Sequence, residues 1–177
     1  MNVQSITKEQ AWEVRHTVMW PDKDFSYIQL KDDPSGIHYG LFEEGELKSV
    51  VSLFITGDEA QFRKFATLKK EQGKGYGSRL LEEVFLKAKN LGVRKVWCNA
   101  RENKVSFYQA FNMKKTARVF TKSSTRYIVM ELFFKQLKSS VRRHAAFTLL
   151  LLFKRAYNLS LVQSIHIVHL FFDIQHL

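Results

Sequence analysis

EQGKGYGSRLLEE, residues 71 to 83, sets Gly73, Gly75 and Gly77 at alternate positions directly before an amphipathic run. The first amides of a helix have no acceptor within it, and the macrodipole makes that end partly positive, so a helix start is a site for phosphate. Glycines there remove the side chains that would keep an anion off the amides, and they permit unusual backbone angles. Lys74 adds a positive charge. Glycine content alone fits a plain flexible turn equally well, so spacing has to decide. A P-loop needs G-x-x-x-x-G-K-[ST], and no glycine here is followed by Lys-Ser or Lys-Thr at that distance. A dinucleotide fingerprint needs a third glycine where Leu80 stands. What fits is Q-x-x-G-x-G, Gln72 to Gly77, preceded by a strand and followed by a long helix.

On the C-terminal side of the loop, Leu80, Leu81, Val84, Phe85 and Ala88 form one helical stripe that ends near Asn90 and Gly92. VRKVWCNA reads as a strand, VSFYQAF as a short helix closed by Asn112, and RYIVMELFF as the last strand. On the N-terminal side, Thr7 and Gln10 make a capping-box pattern for a first helix that carries Ala11, Trp12, Val14, Val18 and Met19 and stops at Pro21. IHYGLFE and ELKSVVSLFI flank Glu44-Gly45, a hairpin turn, and AQFRKFATL supplies a third strand. The order is helix, antiparallel strands, glycine loop, long helix, strand, short helix, strand. It predicts an α/β (α+β) fold, a mixed sheet covered by helices.

The chain has 177 residues, long enough for one domain and a modest appendage. Twenty-eight basic against seventeen acidic residues give a net charge of +11, which favours an anionic partner: a nucleotide-like cofactor, nucleic acid or a membrane surface. Cys98 is the only cysteine, which excludes a disulfide framework and, with no apolar leader at the N-terminus, predicts a cytoplasmic protein. The reading divides the chain into a domain over 1–135 and an extension over 136–177. The extension holds five Lys or Arg, one acid, Asp173, and the apolar stretch AAFTLLLLF, well short of the roughly 20 residues that span a bilayer. It reads as one or two accessory helices covering an exposed face or a partner, or as a membrane-surface helix. Its His144, His166, His169 and His176 have no carboxylate or cysteine cluster around them, so no metal site is expected.

The loop Gln72 to Gly77 resembles the [RQ]-x-x-G-x-[GA] signature of the GNAT family of N-acetyltransferases, and ARENKVSFYQAFNM, residues 100 to 113, resembles that family's later Phe-Tyr motif. Asn112 and Met113 stand where the family has a glycine and an aromatic. The resemblance covers roughly residues 5 to 133. It implies a GNAT acyl-CoA N-acyltransferase fold with a mostly antiparallel sheet, acetyl-coenzyme A as co-substrate, and a primary amine of a small molecule or peptide as acceptor, attacked directly in a ternary complex.

It also implies places for the work. The strand end Phe65, Ala66, Thr67 and Leu68 would pair with the pantetheine arm and point an amide at the thioester oxygen. Gln72, Gly73, Lys74, Gly75, Tyr76, Gly77 and Ser78 would hold the pyrophosphate. Tyr108 matches the family's general acid, while Phe107 reads as packing. The family's strand glutamate is replaced by Gln61, which leaves Glu59, two residues earlier and on the same strand face, as a base acting through water. Arg101 stands where many members carry an asparagine. Trp20, Asp22, Asp24 and His38 are the expected acceptor contacts, the two acids because they attract a cationic amine. Nothing in the sequence opposes a homodimer. Two other readings stand beside this one. Phe62-Arg63-Lys64-Phe65 and the net charge suggest a nucleic-acid-binding module, and the changes at Gln61 and Arg101 suggest a coenzyme-binding regulator without turnover. Only acetyl transfer accounts for loop, Phe-Tyr helix and element order together.

Overall fold

A computed structural model describes residues 1–135; the expectations for 136–177, the accessory or membrane-surface helices and the absence of metal among its histidines, lie outside the described residues. The chain runs β1 (Asn2–Ile6), α1 (Lys8–Met19), β2 (Ile37–Glu43), β3 (Glu46–Thr56), β4 (Glu59–Thr67), α2 (Tyr76–Asn90), β5 (Lys95–Arg101), α3 (Val105–Gln109), β6 (Lys114–Lys122) and β7 (Thr125–Phe133). One sheet collects the strands in the order β1-β2-β3-β4-β5-β7-β6. Every pairing is antiparallel except β4 with β5. The parallel pair is forced, because α2 lies between those strands and returns the chain to the same end of the sheet.

Local chemistry explains most boundaries. The Thr7 hydroxyl accepts from the Gln10 amide at 3.2 Å and the Gln10 side chain accepts from the Thr7 amide at 3.0 Å, closing the capping box at the head of α1. Glu44 and Gly45 both take positive φ, 52° and 77°, the primed turn that matches strand twist between β2 and β3. Leu80, Leu81, Val84, Phe85 and Ala88 are the buried stripe of α2, and Gly92 ends the helix at φ 82°.

The core lies mainly on one face. Under α2, its stripe packs with Leu41, Val51, Leu53, Phe62, Val96, Cys98 and Ala100. On the other face Val14 of α1 meets Val50 and Ala66. Val50 and Val51 are neighbours on β3, so the two helices cover opposite faces. The segment between α1 and β2 adds one buried apolar residue, Ile28, within two short turns of 3₁₀ helix.

Candidate active site

Three features converge where α2 begins. The first is a set of free amides. Gly75 caps α2 in the left-handed region at φ 86°, with no side chain capping the helix, and Gly73 is left-handed at φ 79°. The first amide of this turn with a backbone acceptor is that of Arg79, bonded to the Gly75 carbonyl; among the described residues those of 73 to 78 have none. A Cβ at Gly73 or Gly75 would meet nothing within 4 Å, so these glycines serve the backbone angle and leave open space over the amides. Gly77 differs. A Cβ there would lie 2.8 Å from the Phe65 ring and 3.1 Å from the Thr67 hydroxyl, so its missing side chain is what lets the helix start against β4.

The loop is braced from below. Gln72 donates to the Thr67 carbonyl at 3.0 Å, pinning the loop to the end of β4. Glu71 is buried and accepts from Lys74 at 2.8 Å and Lys48 at 3.2 Å. Lys74 foremost, with Lys48, holds the Glu71 carboxyl below its ordinary value against the opposing effect of burial. The positive charge of Lys74 is therefore partly spent inside the protein. Tyr76 packs against the main core, and Ser78 is half-buried in the first turn.

The second feature is a split in the sheet. β4 pairs with β5 only over Glu59–Gln61 and Lys95–Trp97, while β5 continues along β7 to Arg101. From Phe62 to Thr67 the edge of β4 that faces β5 is therefore unpaired. A bulge accompanies the parting: the β3 register passes from Ser52 opposite Arg63 to Val50 opposite Ala66, so Val51 faces two residues, Lys64 and Phe65. On the β3 side the strand is satisfied, with Ser49 donating to the Ala66 carbonyl at 3.0 Å and Leu68 to the Lys48 carbonyl at 3.0 Å.

The third feature is an aromatic wall. Phe65 stacks on Phe107 at 5.9 Å, and Phe62 meets Tyr108 at 5.9 Å, so rings from β4 and α3 join beneath the split. Burial pushes the Tyr108 phenol well above its usual range, leaving it protonated at neutral pH. Burial likewise pushes the Cys98 thiol up, as expected of a small core hydrophobe.

The α1 face carries the remaining expected residues. Glu59 and Gln61 line one pocket of about 550 Å³ with Trp97, Phe54 and Arg63, as strand alternation dictates. Glu59 is ion-paired to Lys95 at 2.6 Å. Trp20 closes α1 and lies against β4 through the Lys64 ammonium, 4.2 Å above its ring. Asp24 accepts from the Ser26 amide at 2.8 Å, the cap of the following turn, and Asp22 is exposed beside it. His38 is buried, bonded to the Ser52 hydroxyl at 2.6 Å and to the Asp33 carbonyl at 2.9 Å. The structure thus gathers the glycine loop, the free edge of β4 and Tyr108; it commits Asp24 and His38 to internal bonds. Arg101 ends β5 and its charge acts on Tyr108.

The sequence pattern of the acetyltransferase (GNAT) family matches residues 6–113. The chain belongs to this family. An uncharacterised N-acetyltransferase of Bacillus subtilis, YitI, is 28% identical over 129 residues, 68% of this chain and 87% of that protein. The crystal structure of a putative N-acetyltransferase from Lactobacillus plantarum superposes with a TM-score of 0.67 at 16% identity over 76% of this chain and 100% of that one. A GNAT family acetyltransferase of Elizabethkingia anophelis with acetyl-CoA bound gives 0.61 at 18% identity over 75% and 97%. At these identities the structures establish the GNAT acyl-CoA N-acyltransferase fold. Among the described residues no cluster of His, Cys, Asp or Glu could hold a metal ion, and no helix is long and apolar enough to cross a membrane.

Three residues escaped the sequence reading. Lys64 reads from the sequence as part of a basic-aromatic strand, and only the bulge turns it onto the α1 face. Arg15 and Asp33, both without exposed surface and bonded at 2.8 Å, anchor the segment after α1. A lone arginine inside a helical pattern carries no signal of burial.

Proposed function

We propose that this GNAT protein transfers the acetyl group of acetyl-coenzyme A to a primary amine of a small molecule or peptide, by direct attack in a ternary complex. The observation that carries the reading is the row of acceptorless amides at residues 73 to 78 beside the unpaired edge of β4. Amides of Gly73 to Ser78 suit a pyrophosphate, and the edge over Ala66, Thr67 and Leu68 suits the amides of a pantetheine arm. Acetyl-coenzyme A supplies the activated thioester. The chain's own part is to orient it, to present a β4 amide to the oxygen where charge develops, and to keep a proton on Tyr108 for the departing sulfur. The amine's proton leaves through water in the pocket that Glu59 lines.

A titration followed by thermal unfolding tests the cofactor. At a hundredfold excess over Kd, acetyl-coenzyme A should stabilise the chain by about 2.7 kcal/mol. No shift at millimolar coenzyme overturns the reading. Release of free thiol across a panel of amines tests turnover, and stabilisation without release by any amine would favour the regulator instead.

A further inference from the structure

Lys64 is the one titratable side chain at the bulge that the reading above leaves without a task. It is not placed there by ordinary strand alternation. Arg63 points to the α1 face, where its guanidinium lies over Phe54 at 3.6 Å, so the next residue should point into the core under α2. The bulge breaks the alternation: Lys64 takes φ 54°, a left-handed angle that strains a residue with a Cβ, and its side chain emerges on the α1 face against Trp20. The position coincides with the stretch where β4 has parted from β5. A primary amine is thereby held beside the unpaired length of β4 and against Trp20, one of the residues expected to meet the acceptor. Strain kept at such a place indicates use.

The surroundings disfavour the ammonium form relative to that of a free lysine. Burial and then the charge of Arg15 push the Lys64 ammonium down to about 8; Lys122 of β6 and Arg63 act in the same direction and Asp33 opposes them. A desolvated lysine amine with cationic neighbours is an activated nucleophile.

We propose that Lys64 is a self-acetylation site: this chain transfers acetyl to its own Lys64 when no other amine occupies the cleft. The inference rests on the acetyl-coenzyme A reading. The neutral Nζ forms a C–N bond to the acetyl carbon while the C–S bond breaks. The sulfur leaves with the bonding pair and takes up a proton, and the nitrogen loses one to water, giving Nε-acetyl-Lys64 and free coenzyme A. The product no longer carries a charge among Arg15, Arg63 and Lys122, and its acetyl group fills the acceptor's approach.

The test is peptide mass spectrometry of the full chain incubated with acetyl-coenzyme A alone. Exposed Lys31, Lys69 and Lys89 serve as internal measures of uncatalysed acetylation. Lys64 should gain one acetyl group at least about tenfold faster than these three. Excess free coenzyme A should suppress the gain at Lys64 and leave the others unchanged. In Lys64→Arg the corresponding peptide should gain nothing. If acetyl-coenzyme A stabilises the chain but Lys64 is acetylated no faster than the exposed lysines, the self-acetylation site is wrong and the coenzyme reading survives. If the coenzyme gives neither stabilisation nor acetylation, both are overturned.

Discussion

Beneath α2 the sheet is covered by Leu80, Leu81, Val84, Phe85 and Ala88, whereas beneath α1 the covering includes Arg15 and Asp33, both wholly buried. Asp33 accepts from Arg15 at 2.8 Å, from the Trp12 indole at 2.7 Å and from the Leu30 amide at 2.8 Å; Arg15 also donates to Ser52, whose hydroxyl meets His38. The contrast follows from what each face has to hold. The α2 face holds a long helix, which apolar area secures without direction. The α1 face holds residues 20 to 36, of which Ile28 is the only buried apolar side chain. So little apolar area cannot fix a segment of that length, and directional bonds do it instead. The proposed anion cradle is at the start of the helix on the apolar side, and Trp20, Asp22, Asp24 and His38, the expected acceptor contacts, are on the polar side.

The comparison is broken most directly at Asp33. Asp33→Ala leaves Arg15 buried without its partner and should cost about 3–5 kcal/mol in urea unfolding. A loss below about 1 kcal/mol would mean that the polar network does not secure this face. Leu81→Ala removes apolar volume under α2 and should cost about 2–5 kcal/mol, near the middle of that range. If it were the costlier of the two by a wide margin, the division of labour between the faces would be wrong.

Gly77→Val sharpens the picture at the junction. The new side chain must displace Phe65, at about 1–3 kcal/mol, and stabilisation by acetyl-coenzyme A should vanish. Retained stabilisation would move the anion site elsewhere. Gly75→Ala should cost less, about 1–2 kcal/mol, since only its left-handed angle is at stake.

The smallest effect is in acid. Burial pushes the His38 imidazole below its ordinary value of 6.5, so the unfolded chain binds a proton there that the folded chain refuses. Stability should therefore decline as pH falls from about 6.5 toward the lowered His38 value, and His38→Gln should flatten that decline. Burial raises the Asp33 carboxyl, but the bonds from Arg15, Leu30 and Trp12 outweigh it, so the contribution of Asp33 persists at ordinary carboxylate pH and is lost only below 3.8. An unchanged profile in His38→Gln would remove His38 from the account.

Much of the fold was legible because the elements that matter carry period and punctuation. The α2 stripe, the Thr7 box and the Glu44-Gly45 turn each stand where the residues predict. Two strands were not foreseen. β1 is a five-residue edge strand, and β6 is exposed on nearly all positions, so neither has an alternation to read. The turn between β6 and β7 is made by Ser123 and Ser124 at φ 46° and 61°, without the glycine that advertises such turns. In the site, the loop was read for the amides it bares; that Gly77 instead admits Phe65 is visible only once β4 lies under the helix.

The sequence by itself determined the helix start, its bare amides and the order of strands and helices, because these depend on neighbours within a few residues. Tertiary structure alone decided where β4 leaves β5, which way Lys64 turns, and that Arg15 and Asp33 meet under α1. Those outcomes depend on strand register and on partners 18 or more residues away, as for Arg15 and Asp33, and no local pattern encodes them.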